Sequence, residues 1–261
     1  MTVDIAAVDT GLLLGPCPFR SLPSSPEDLL ALRQRAGLER AVATGFRSLL
    51  YFDPLMGLDE DLKAYESLAD WLYFYAVLNP EFPQWQEGVH RAAQESRIAG
   101  VRLVPAIHHY GLGATNVRQL VQMAGQLHVP VNLMGRIFDD RIAPRFVEQK
   151  APPLAEVAAF IRANSETTLV LSMFFFGELK ALEVNWDELP NAYVDFGCSK
   201  PNVASLDELA TWFPLERALF GSGAPFYYWG GSRLGLEGSR LDDQQRRGIL
   251  ADNAHKVFTW D

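Results

Sequence analysis

A single (β/α)8 barrel is the fold class that this sequence predicts, and three observations carry the prediction. Short apolar runs rich in β-branched and aromatic residues alternate with longer stretches of helical period along the whole chain. The 261 residues divide into eight such units of about 33 residues each, close to what a (β/α)8 barrel uses. No Ser/Gly-rich linker or shift of composition cuts the chain, so residues 1–261 are read as one domain.

Taken in order, the first strand is predicted over 3–9 and the first helix over 26–36. Ser25-Pro26-Glu27-Asp28 marks that helix start with a capping hydroxyl, a first-turn proline and two carboxylates near the positive end of the dipole. The pairs that follow are strand 40–44 with helix 58–69, strand 71–78 with helix 84–97, and strand 100–104 with helix 116–127, which Thr115 would cap. Strand 129–134 precedes helix 154–163, and strand 168–173 precedes a short helix over 178–183. Strand 192–196 with helix 206–212 and strand 217–221 with helix 242–257 complete the set. Every strand is predominantly apolar, as strands covered by helices should be. The loops after strands one, two, five and eight are long, and in a barrel they form the C-terminal face where ligands bind. Asp9, Asn79, His108, Arg136, Asp195 and Ser222 are expected near that end.

Charge and motif content exclude several functions. With 23 basic against 32 acidic residues the net charge is -9, without the basic stripe that a phosphate backbone requires, so nucleic acid is not an expected partner. The longest apolar runs, such as 167–177, are far shorter than the ~18 residues of a membrane span. The start has no basic stretch followed by a cleavage pattern, which makes a cytoplasmic location the expectation. Cys17 and Cys198 lie far apart and form neither a disulfide framework nor a metal clip. No complete dinucleotide fingerprint, phosphate loop or nucleophile elbow is present, so no nucleotide cofactor is expected.

The strongest local signal runs from Gly100 to Tyr110, a strand leading into His108, His109 and Tyr110. Adjacent side chains diverge, so the two histidines are not read as ligands of one metal. An imidazole at the mouth would serve as general acid or base, against the alternative of a loop histidine bonded to backbone. Arg102 lies inside a strand, where an unpaired charge is costly. Asp9 and Asp195 are its natural partners, either bracing the pocket floor or holding an anion with it. Gly135 to Arg141 is dense in charge: Asp139 and Asp140 offer bases and Arg136 and Arg141 carboxylate clamps, or the segment is a salt-bridged surface loop. Phe226-Tyr227-Tyr228-Trp229 would wall an apolar pocket, cover the mouth or dock on a second copy, so a homodimer is also accommodated.

These residues resemble the amidohydrolase superfamily, in particular its branch of decarboxylases and lactonases for small carboxylated substrates. The segment from Val8 to Gly15 resembles the family's first-strand motif, Gly100 to Pro105 its fourth-strand segment, Leu219 to Pro225 its eighth-strand Gly-Ser-Asp-x-Pro and Ile249 to Ala254 its closing Asn-Ala helix. Gly15-Pro16-Cys17-Pro18-Phe19-Arg20 and Asn79-Pro80-Glu81-Phe82-Pro83-Gln84-Trp85 are similar to motifs of a poorly characterised subgroup. At the family's metal-ligand positions, however, this chain has Gly11, Leu13, Met134, Met173 and Gly223, and thioethers suit Cu(I) rather than Zn2+ or Mn2+. The resemblance implies a hydrolase or lyase of a small carboxylated or cyclic metabolite working without the usual metal. His108 would be acid or base, Asp139 or Asp140 would assist, and Arg102, Arg136 and Arg141 would hold an anionic ligand beside Tyr110 and Phe226. Zinc or another divalent metal is expected only if a non-standard site exists around His108 and His109. The alternative is a non-catalytic barrel that binds a metabolite or a partner.

Overall fold

The computed structural model describes residues 6–139, 141, 143–144, 147–196 and 205–260, so Asp140 and Cys198 lie outside the described residues. Eight parallel strands pair in chain order: β1 (Ala7–Leu14), β2 (Leu38–Gly45), β3 (Leu72–Leu78), β4 (Ile98–Leu103), β5 (Val131–Met134), β6 (Leu169–Ser172), β7 (Ala192–Asp195) and β8 (Ala218–Leu219). The segment after β8 closes the barrel onto β1, because Thr10 N–H donates to the Phe220 carbonyl at 2.8 Å and Leu13 N–H to that of Ala224 at 2.9 Å. Helices cover the outside and bury a core that includes Leu29, Val89, Leu120 and Ile161.

Local signals set several helix starts. Ser25 and Asp28 exchange side-chain and backbone hydrogen bonds across the first turn of Pro26–Ala36. Asp53 accepts the Leu55 N–H at 3.0 Å ahead of Pro54–Ala64. The latter helix packs directly on the backbone of a short helix, Phe46–Leu50, at Gly57. A Cβ there would lie 2.5 Å from the Arg47 carbonyl carbon and the Ser48 nitrogen. Gly57→Ala is therefore expected to lower stability by about 2 kcal/mol despite alanine's better helix propensity. Denaturant unfolding checks this, and an unchanged midpoint would contradict the packing.

The interior is stacked in three layers. Val8, Val42, Tyr73, Val170 and Leu219 form the floor, where Phe258 and Trp260 of the C-terminal segment pack against Tyr75 and Tyr73. A polar layer lies above, and an apolar cap of Leu13, Val77, Val104, Met134, Met173 and Phe226 covers the mouth.

The structure corrects several predicted boundaries. β1 extends to Leu14, so Asp9 sits inside the strand and not at its end; its carboxylate is accommodated there by backbone N–H groups. The stretch read as 58–69 is the helix Pro54–Ala64 followed by a turn over Glu66–Leu68. Pro105–His108 forms one helical turn after β4. Part of the aromatic loop is a helix, Trp229–Glu237, which leaves Tyr228 exposed. The closing helix is interrupted by a wide turn over Gly248–Asp252, while the Asn253 side chain donates to the carbonyls of Leu215 and Ala218. No helix among the described residues is long and apolar enough to cross a membrane.

Candidate active site

The polar layer is built by strand register. Arg102 on β4 pairs with Asn132 on β5, and Asn132 pairs with Val170 on β6, which puts Ser172 two residues on and on the same face. Leu171 pairs with Val194 on β7, so Ser172 is brought level with Asp195. The Asn132 amide donates to Ser172 Oγ at 2.6 Å, and the Ser172 hydroxyl donates in turn to Asp195 Oδ2. Arg102 is flanked by residues of both neighbouring strands, its guanidinium carbon 4.2 Å from the Tyr75 ring centroid on β3 and Nη1 3.9 Å from Met134 Sδ on β5. Backbone glycines make room for the acid: a Cβ on Gly221 would lie 2.8 Å from Asp195 Cγ, and one on Gly11 3.5 Å from its Oδ2.

Burial dominates the electrostatics. Desolvation pushes the Asp195 pKa up to about 7, against the opposing Ser172 hydrogen bond and Arg102 charge. Asp9 is pushed up to about 6 by the same cause, although it accepts N–H groups of Ser222 at 3.0 Å and Gly11 at 3.1 Å. Burial also drives the Tyr75 hydroxyl upward, so it stays protonated. Two carboxyl groups thus titrate near neutral pH at the centre of the barrel. Such perturbed acids mark candidate sites of proton transfer.

The cap holds the positions that the resemblance assigns to metal ligands. Leu13, Met134 and Met173 are buried within it, Gly11 abuts Asp195, and Gly223 donates its N–H to the Gly11 carbonyl at 2.9 Å. Two thioethers, an isobutyl group and two glycines do not fit Zn2+ or Mn2+, which take nitrogen and carboxylate oxygen. Among the described residues no three His, Cys, Asp or Glu side chains are grouped to hold a metal ion.

The residues singled out from sequence divide between the barrel axis and its rim. Arg102 lies in the polar layer next to Asp195, while Asp9 turns toward β8. Phe226 lies in the cap against Phe46 and Phe138, at ring separations of 5.1 and 5.4 Å. His108 sits on the rim, where burial lowers its pKa against an opposing pull from the Leu49 backbone, so the imidazole is neutral at pH 7. Tyr110 is buried and its hydroxyl accepts the Val104 N–H at 2.9 Å. Arg136 donates to both carboxylate oxygens of Glu178 at 2.5 and 2.6 Å and to the Met173 carbonyl at 3.4 Å. Arg141 clasps Asp139 through Nε and Nη2. These two arginines therefore already have carboxylate partners. Ser172, Asn132 and Tyr75 are the site residues that sequence reasoning did not single out; their one signal was polarity within otherwise apolar strands.

A family model described as amidohydrolase matches residues 14–260. The chain is similar to the crystal structure of a 2,6-dihydroxybenzoate decarboxylase complexed with 2,6-dihydroxybenzoate, at 14% identity and a TM-score of 0.70, over 97% of this chain and 99% of that one. A manganese complex of a 5-carboxyvanillate decarboxylase from Novosphingobium aromaticivorans matches with 11% identity and a TM-score of 0.72, over 97% and 96% of the two chains. A probable 2-pyrone-4,6-dicarboxylic acid hydrolase from Acinetobacter baumannii, with citric acid bound, matches at 14% identity and a TM-score of 0.65, over 97% and 99%. No curated protein sequence matches.

Proposed function

Since the chain belongs to the amidohydrolase family, we propose that it is a hydrolase or lyase of a small carboxylated ring compound in which its own side chains replace the family's metal centre. The observation that carries this reading is the Arg102–Asp195–Ser172 arrangement directly beneath the mouth. A guanidinium buried in a barrel axis costs several kcal/mol to desolvate, and a purely structural core avoids it. Arg102 would hold the ligand carboxylate. Asp195, with a pKa of about 7, would hand a proton to a carbon or leaving oxygen when protonated and take one from water when ionised. Ser172 and Asn132 would fix the orientation of that carboxyl group. Neutral His108 would be a second proton carrier at the rim, and Met173 would move aside to admit the ring past a fixed Phe226. In this assignment Arg136, Arg141, Asp139 and Tyr110 hold the loops in place.

The buried cap of Leu13, Met134, Met173 and Phe226 favours a second reading, a non-catalytic barrel that binds such a compound. One experiment separates the two. The chain is heated with 2,6-dihydroxybenzoate, 5-carboxyvanillate or 2-pyrone-4,6-dicarboxylate in a chelating buffer, and the same mixtures are assayed for product. The expected result is a melting temperature raised by roughly 5–10 °C at a ligand concentration ~100-fold above Kd, for at least one acid, with product formed. Stabilisation without product supports the binding barrel. Turnover that appears only on adding Zn2+ or Mn2+ overturns the metal-independent reading, and no stabilisation by any acid overturns the carboxylated substrate class.

A further inference from the structure

We infer that Arg20 is a specificity-determining residue that receives a second carboxylate of the ligand at the barrel mouth, outside the one that Arg102 holds; this deepens the carboxylated-ring reading and rests on it. Arg20 comes from the loop after β1, and its guanidinium carbon lies 4.2 Å from the centroid of the Phe226 ring, on the loop after β8. The two loops are brought together by β1, whose Leu13 bridges Pro225 in parallel register. Phe226 is itself fixed, 5% exposed and packed on Phe46, Phe138 and Tyr227. Arg20 is therefore held over the apolar cap, while the residue as a whole stays exposed.

Stacking on an aromatic face uses only the plane of the guanidinium. Its N–H donors lie in that plane and stay directed outward, in the fork geometry that matches a carboxylate. Among the described residues the other arginines around the mouth lack this freedom: Arg47 pairs with Asp61 at 2.7 Å, Arg136 with Glu178 and Arg141 with Asp139. Among the described residues Arg20 stands in no ion pair, and its contact is with Phe226. A cation placed over the cap meets an incoming anion before the cap opens. A ring bearing a second carboxylate would lay that charge on Arg20 while Arg102 holds the first, which selects for dicarboxylates over monocarboxylates.

The test is calorimetric titration of the parent, Arg20→Met and Arg20→Lys with 2,6-dihydroxybenzoate, 5-carboxyvanillate and 2-pyrone-4,6-dicarboxylate. Loss of one charge-assisted fork is expected to weaken the tighter of the two dicarboxylates about tenfold in Arg20→Met and to leave 2,6-dihydroxybenzoate, with its single carboxylate, unchanged; part of the loss is recovered in Arg20→Lys, where the charge remains. Because the side chain is exposed, both variants should melt within about 1 °C of the parent, so that weaker binding is not a folding defect. A loss of less than about threefold in Arg20→Met would overturn the assignment. Failure of the parent to bind any of the three acids would instead overturn the reading on which it rests.

Discussion

Arg102→Met is expected to cost the barrel about 1–1.5 kcal/mol more stability at pH 8 than at pH 5. The guanidinium is 1% exposed and is the charge that opposes desolvation of Asp195. Removing it leaves a carboxylate buried without a counter-charge. At pH 8 the variant must protonate this group, whereas at pH 5, with a pKa of about 7, Asp195 is protonated in both proteins and that part of the penalty vanishes. Unfolding at the two pH values measures the difference. In an Asp195→Asn background Arg102→Met should cost the same at both pH values, since the two residues are then uncoupled. An equal loss at pH 5 and pH 8 would mean that Arg102 acts through packing on Tyr75 and not through charge.

Asp195→Asn is the second large effect, on both the pH dependence of stability and turnover. The folded pKa is about 7 and the ordinary value 3.8, so the native state holds this proton more tightly than the unfolded chain does. That contribution is complete below about pH 4 and is lost as pH rises through about 7, a span worth on the order of 4 kcal/mol. Asp9, pushed up to about 6, acts in the same direction. Relative to the parent, the variant should therefore gain stability between pH 5 and about pH 7 and level off above that, while Asp9's share of the slope persists. Catalysis of any turned-over acid should fall by about 100-fold or more, the usual contribution of a positioned proton carrier. Parallel stability curves for the two proteins would contradict the assignment of Asp195.

The barrel was legible because strands sandwiched between the interior and the helices read as continuous apolar runs, from Leu72–Leu78 to Leu169–Ser172. What was illegible has specific causes. β1 was cut short at Asp9 because a carboxylate inside a buried strand is normally unfavourable; only the folded barrel reveals the Ser222 N–H that meets it. The helix Trp229–Glu237 was hidden by Gly230 and Gly231, which weaken any helical signal. Arg102 and Asp195 stood out as charges in strands, but Ser172 and Asn132 join them only through parallel register across β5, β6 and β7. Asp139 and Arg141 are two residues apart, so their pairing was open to inspection as the salt-bridged alternative. Arg136 and Glu178 lie 42 residues apart, and nothing local announces that pair.

The central claim is that a carboxylated ring binds against Arg102 and Asp195 without a divalent metal. Placing an anion beside Asp195 raises its pKa further, so binding near pH 7.5 must take up protons from solution. Calorimetric titration of the chelator-treated protein, in two buffers of different ionisation enthalpy, counts them. The expected result is uptake of a substantial fraction of a proton for each acid molecule bound by the parent, and none attributable to this group in Asp195→Asn. Binding that requires added Zn2+ or Mn2+, or proton uptake that persists unchanged in Asp195→Asn, would contradict it.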